Sequence, residues 1–117
     1  MSNRNDEGLE IDLEQVLNRK KVIEALESGK HKQITNAFGH WWNPKSAVCW
    51  AGLCMRVLDY NSEDFPFKHF PSDWIGRKLG ISPQLVHDFV YENDCGCSFW
   101  LLAEEMKRLP PPIKMPV

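Results

Sequence analysis

Apolar positions recur at helical spacing along most of this chain, in short runs separated by Gly, Pro and Asn. The first run, from about Asp12 to Ser28, places Leu13, Val16, Leu17, Ile23 and Leu26 on one face. Asp12 followed by Gln15 has the form of a capping box, and Gly29 supplies a stop. Arg19, Lys20 and Lys21 read as solvated. Residues 33–42 carry no clear period, although a short extended piece at Ile34–Phe38 fits there. Asn43-Pro44 then has the form of an N-cap and first helical residue, predicting a helix that runs to Tyr60. That helix is apolar nearly all round, with only Arg56 and Asp59 charged, as expected of a central core helix. Ala51 and Gly52 in its middle would admit a close backbone neighbour.

Asn61 to Pro71 reads as a loop whose Phe65, Phe67 and Phe70 pin it to the core. Ser72 caps a helix that Gly80 ends, and Ser82 with Pro83 starts the next, which stops near Asn93. After a tight turn at Asp94-Cys95-Gly96-Cys97, Ser98 caps a last helix with Phe99, Leu102, Ala103, Met106 and Leu109 inward. Pro110-Pro111-Pro112 ends it, and the tail reads as polyproline-like or loose. The pattern predicts an all-α, single-domain orthogonal bundle of about five helices. The domain spans residues 9–109, with a disordered leader at 1–8 and a Pro-rich tail at 110–117.

Within it, residues 72–92 have the apolar spacing of a helix-turn-helix. Ile75, Leu79, Ile81, Val86 and Phe89 fall at its core positions, Gly76 is small where the helices meet, and Gly80 sits at the turn. DNA reading would use the outer face of the second helix, where Gln84 and His87 stand beside Asp88, Tyr91 and Glu92. Arg77 and Lys78 would serve the phosphates, with Lys20 and Lys21 in reserve. Charge argues against that use. From Pro66 to Asp94, three basic residues (Lys68, Arg77, Lys78) face four acidic ones (Asp73, Asp88, Glu92, Asp94), whereas duplex affinity comes largely from neutralising phosphates. The formal net charge of −2 points the same way, so nucleic acid is possible as a partner but disfavoured.

The five Trp are the compositional feature that changes the picture, because each combines a large apolar area with an N–H that needs a partner. Trp41, Trp42, Phe65, Phe67, Phe70 and Trp74 are the candidate binding residues, for a protein partner, self-association or a small apolar ligand. Cys49, Cys54, Cys95 and Cys97 are candidate metal ligands on paper only: C-x4-C on a helix and C-x-C in a turn are not the usual zinc spacings. The reading is therefore no metal and no cofactor, with reduced cysteines and a cytoplasmic location expected from a polar N-terminus and no long apolar run. His31, His40, His69 and His87 are scattered, and no Gly-rich phosphate loop, H-E-x-x-H or G-x-S-x-G occurs, so no enzyme is expected. Glu104 is expected to pair with Arg108 at i,i+4.

Cys49…Gly52-Leu53, Leu79-Gly80-Ile81-Ser82, Asn93-Asp94 and Ser98-Phe99…Ala103 together resemble a family of small bacterial all-helical domains of unknown function, over about residues 46–109. The resemblance implies an all-α fold with an Asn-Asp pair opening the turn before the final helix, and no known activity. Cys95-Gly96-Cys97 and the Phe-rich loop depart from that pattern. In size and lack of motifs the chain is also similar to small orphan proteins of mobile genetic elements. The expected function is an accessory or binding protein acting through an aromatic-rich surface or pocket. The alternative is a helix-turn-helix DNA-binding regulator.

Overall fold

A computed structural model describes residues 10–61 and 71–113. Phe65, Phe67, Phe70 and the leader at 1–8 lie outside the described residues. Five helices follow one another: α1 (Leu13–Glu27), α2 (Trp50–Val57), α3 (Ser72–Leu79), α4 (Pro83–Asp94) and α5 (Phe99–Lys107). Among the described residues there is no strand, only isolated backbone bridges, and the fold is a small all-α bundle. No described helix is long and apolar enough to cross a membrane.

Most helix starts follow their caps. Asp12 Oδ1 accepts from Gln15 N at 3.1 Å, Ser82 Oγ from Leu85 N at 3.1 Å, and Ser98 Oγ from Leu101 N at 3.3 Å. Two starts differ. Pro71, not Ser72, stands at the head of α3, with no side-chain cap. α2 begins at Trp50 instead of Pro44, with the Cys49 thiol accepting from Gly52 N at 3.4 Å. The Asn43-Pro44 signal is spent on a turn, in which Asn43 O and Asn43 Oδ1 accept from Ser46 N and Lys45 N. Backbone pairing then holds the chain extended: Ile34 N donates to Val48 O at 2.9 Å and Val48 N to Lys32 O at 2.8 Å. Tertiary bonds of this kind override a local cap.

α2 is the centre, with Trp50, Leu53, Cys54 and Met55 fully buried. Ile75 and Leu79 of α3, Val86 and Phe89 of α4, and Leu102 and Met106 of α5 close around it. Trp50 stacks on Phe89 with ring centres 4.7 Å apart. The small residue in α2 has the reason expected of it, since a Cβ on Gly52 would strike the Phe38 carbonyl. α3 and α4 pack against each other across Gly80–Ser82. Gly80 takes the left-handed φ of 70° that a Cβ disfavours, and a Cβ on Gly76 would meet Ile81 O at 2.6 Å. Packing of this kind is what a helical bundle needs at a tight corner, and it carries no implication of DNA contact.

The face that α1 buries is not the one its leucines suggest. Leu13 and Leu17 are exposed, while Asn18, Arg19, Val22 and Leu26 are buried. Gln15, Asn18 and Arg19 fall on one side at helical spacing, against the carbonyl end of α3. Gln15 Nε2 donates to Arg77 O at 2.8 Å, so it does not complete the capping box. Asn18 Nδ2 donates to Lys78 O at 2.8 Å. Arg19 donates through Nε to Leu79 O at 2.7 Å, through Nη2 to Gly80 O at 3.0 Å and through Nη1 to Pro110 O at 2.7 Å. Every carbonyl that the end of α3 leaves unpaired thus meets a donor from α1. A cation there also complements the helix dipole. Burial lowers the pKa of the Arg19 guanidinium.

The tail is fixed by the same region. Asp12 N donates to Pro112 O at 3.0 Å and Ile11 bridges Ile113, so Pro110–Ile113 docks along α1 instead of hanging loose. At the C-terminal end of α5, just before this segment, Lys107 pairs with Glu27 and, at 2.9 Å, with Glu104, so that Glu104 meets Lys107 instead of the expected Arg108.

Replacing Arg19 by Met strands three carbonyls, at least one of them fully buried. Urea unfolding is expected to show a loss of about 3 kcal/mol. Arg19→Lys should recover less than half, because one ammonium cannot span three divergent acceptors. A loss below about 1 kcal/mol for Arg19→Met would contradict the clamp.

Candidate functional site: an aromatic ladder beside an apolar groove

Arg56 builds this site from beneath. It is the one basic side chain on an otherwise apolar helix, and a half-buried cation must find acceptors. Its Nε donates to Trp41 O at 3.0 Å, and its Nη2 to Asn43 O at 2.6 Å, Ser46 O at 2.8 Å and His40 O at 3.3 Å. Its Nη1 lies 3.0 Å from His31 Nδ1. Burial lowers the His31 pKa, and the charges of Arg56 and Lys30 lower it further, so a neutral ring accepts from the guanidinium. One residue of α2 thereby fixes the loop from His40 to Ser46.

On that loop the aromatic rings form a ladder. His40 stacks on Trp42 with centroids 4.9 Å apart and planes 15° from parallel. Trp42 meets Trp41 edge-on at 4.6 Å, Trp41 meets Tyr60 at 5.9 Å, and Tyr60 meets Trp74 at 4.6 Å. The Lys78 ammonium closes the far end, 5.6 Å from the Trp74 ring centre. Trp41 Nε1 donates to Tyr60 O at 3.3 Å. Three of the six aromatic candidates, Trp41, Trp42 and Trp74, are thus brought together. They differ in exposure: Trp41 is 4% exposed and Trp42 54%, so the first anchors and the second presents. Trp74 is half-buried. Beside Trp41 and Trp42 opens a groove of about 580 Å³, with Ile34, Ala37, Phe38 and Ala47 on its walls.

Tyr60 and Arg56 were missed by sequence reasoning. Arg56 carried a signal, a lone cation on an apolar helix. Tyr60 carried none, because it joins the ladder only where the chain leaves α2.

The residues named for DNA reading are placed differently. Gln84 Nε2 donates to Asp88 Oδ1 at 3.0 Å, so the amide that would read a base is held by a carboxylate of its own helix. His87, Asp88 and Tyr91 are exposed on the same helix, Arg77 is exposed, and Lys78 lies over Trp74.

No three of the four cysteines meet among the described residues. Cys49 and Cys54 are buried in and beside α2, Cys95 is exposed and Cys97 half-buried. Burial raises the thiol pKa of both Cys49 and Cys54, which makes them poor nucleophiles. Cys97 joins Glu92 and Glu105, the ligand atoms lying within 4.8 Å of one another. The hydrogen bond that protonated Glu92 donates to Glu105, together with burial and the charges of Glu105 and Asp88, pushes the Glu92 carboxyl up to about 7. Near neutrality the Glu92 carboxyl is therefore partly protonated.

No family model, no curated protein and no solved structure matches this chain.

Glu92 gives the fold a pH signature. A carboxyl raised in the fold contributes stability at low pH that is lost as pH rises through about 7. Thermal unfolding between pH 5 and 8.5 should show Glu92→Gln flattening that loss, since an amide still donates to Glu105 without titrating. An unchanged slope would mean that no proton is shared.

Proposed function

We propose that this protein is a non-catalytic binding protein whose contact surface is the ladder from His40 to Trp74 and the groove beside it. The observation that carries this reading is Trp42. It is a half-exposed indole, held by a stacked imidazole and an edge-on indole on a loop locked by one arginine. A rigid, partly exposed Trp next to a concave apolar wall is the usual anatomy of a binding hot spot, where ordering costs have been met before the partner arrives. The raised thiols of Cys49 and Cys54 support a binding role over cysteine chemistry. The rival reading, a DNA regulator, would have to release Gln84 from Asp88 and bring phosphates past the carboxylates of α4.

Peptide-library display against the whole chain tests this reading. Selected ligands are expected to lose about 30-fold in affinity with Trp42→Ala, the loss of about 2 kcal/mol typical of an aromatic hot spot. The melting temperature should stay close to that of the parent, because Trp42 contributes little to the core. Ligands that bind Trp42→Ala undiminished, or salt-dependent binding of the unmodified protein to mixed duplex DNA, would overturn it.

A further inference from the structure

The net charge of −2 conceals a division. From residue 28 to residue 61 the chain carries Lys30, Lys32, Lys45 and Arg56 against one carboxylate, Asp59. From residue 83 to residue 105 it carries Asp88, Glu92, Asp94, Glu104 and Glu105 and no Lys or Arg. The first of these stretches builds the groove. Arg56 contributes no outward charge, since its donors are spent on four carbonyls and His31. The cations left for a partner are the exposed Lys30, Lys32 and Lys45, none of which has an ion-pair partner among the described residues. Lys32 stands two positions before Ile34 in the bridged segment, and Lys45 adjoins Ser46. Both lysines thus adjoin, in sequence, segments that line the groove, and the Lys32 carbonyl pairs with Val48 N.

We infer that the groove takes a short acidic peptide segment, seating one bulky apolar side chain against Trp42, Phe38 and Ala47 and setting flanking carboxylates toward Lys32 and Lys45. This rests on the binding reading above and names the class of partner. The volume, about 580 Å³, suits one large side chain with its neighbouring backbone. Its walls are largely aliphatic and aromatic, which accounts for the apolar anchor, and Lys32 and Lys45 adjoin its lining segments in sequence, which accounts for the acidic flanks, although Asp94 Oδ1 accepts from Asn36 N at 2.8 Å beside Ala37. Single-stranded nucleic acid is the less favoured polyanion. It needs successive stacking platforms, whereas the described lining of the groove presents a single exposed indole, Trp42, and one face of that ring is covered by His40. It also gains most from guanidinium forks, and the Arg56 fork points inward.

The test uses the full chain and end-blocked peptides of one length with a central Phe, flanked by acidic, neutral or basic residues, and an oligothymidylate of matched charge. Binding is followed by tryptophan fluorescence and by the indole N–H resonances. The acidic peptide is expected to bind about five- to tenfold more tightly than the neutral one at physiological salt, the effect of two exposed ion pairs. At about 1 M salt that preference should vanish, as screening predicts. Lys32→Gln with Lys45→Gln should bring the acidic peptide to the affinity of the neutral one, with an unchanged circular dichroism spectrum. Neutral or basic peptides bound as tightly as the acidic one would overturn the acidic class and leave the binding reading standing. Tighter binding of the oligothymidylate would overturn it in favour of nucleic acid. Concentration-dependent self-association abolished by the same two lysine substitutions would assign the groove to a second copy of this chain and overturn it too. No response to any peptide would sink the inference, and the Trp42→Ala comparison on displayed ligands would then decide the binding reading separately.

Discussion

Arg19 places a guanidinium where α3 ends, against three carbonyl oxygens that helix geometry and chain reversal leave without partners. Gln15 and Asn18 add two more donors from the same face of α1. The arrangement joins three parts of the chain: the first helix, the α3–α4 corner and the proline segment after α5. Gly80 is part of the same constraint. Its positive φ turns the backbone so that its carbonyl faces Arg19, and a side chain there would strike Gln15 and Pro112.

Short helices make such clamps necessary. Each helix leaves four N–H and four C=O groups unpaired, so in the eight-residue α2 and α3 the ends outweigh the interior. A second hub answers this at the opposite corner. Asn93, fully buried, accepts through Oδ1 from Trp50 N at 3.1 Å and from Gln33 Nε2 at 2.8 Å, and donates to Ile34 O at 3.0 Å. Gln33 Oε1 in turn accepts from Phe99 N at 3.1 Å, the first amide of α5. One amide pair thus serves the starts of two helices and the extended segment between α1 and α2. Arg56 is the third hub, and it serves a loop instead of a helix end. What that loop gains is a fixed Trp42, so the aromatic surface is a consequence of the same way of satisfying buried backbone.

Features that act locally were legible in the sequence. Asp12, Ser82 and Ser98 cap where their neighbours said they would, and Gly52, Gly76 and Gly80 stand where backbones come close or turn. The helix count and the identity of most core residues followed from spacing. What spacing cannot express is a polar side chain used inward. Gln15, Asn18 and Arg19 share a face with Val22 and Leu26, yet the pattern assigned Arg19 to water, Gln15 to a capping box, and Leu13 and Leu17 to the core. The start of α2 was misplaced for a related reason: the pairing of Val48 with Lys32 and Ile34 is decided by distant backbone, not by Asn43-Pro44. Of the candidate site, the tryptophans were legible from their number and clustering. Their order in the ladder was not, because Tyr60 and Trp74 arrive from separate elements.

Native-state hydrogen exchange on the unmodified protein bears most directly on the claim that polar clamps bind the helices into one cooperative unit. The amides of Gly80 and Ile81, at the corner held by Arg19, should exchange with the same opening free energy as Leu53 and Met55 in the centre of α2. Exchange at that corner through an opening cheaper by about 2 kcal/mol or more would show that it moves independently, and would contradict the account.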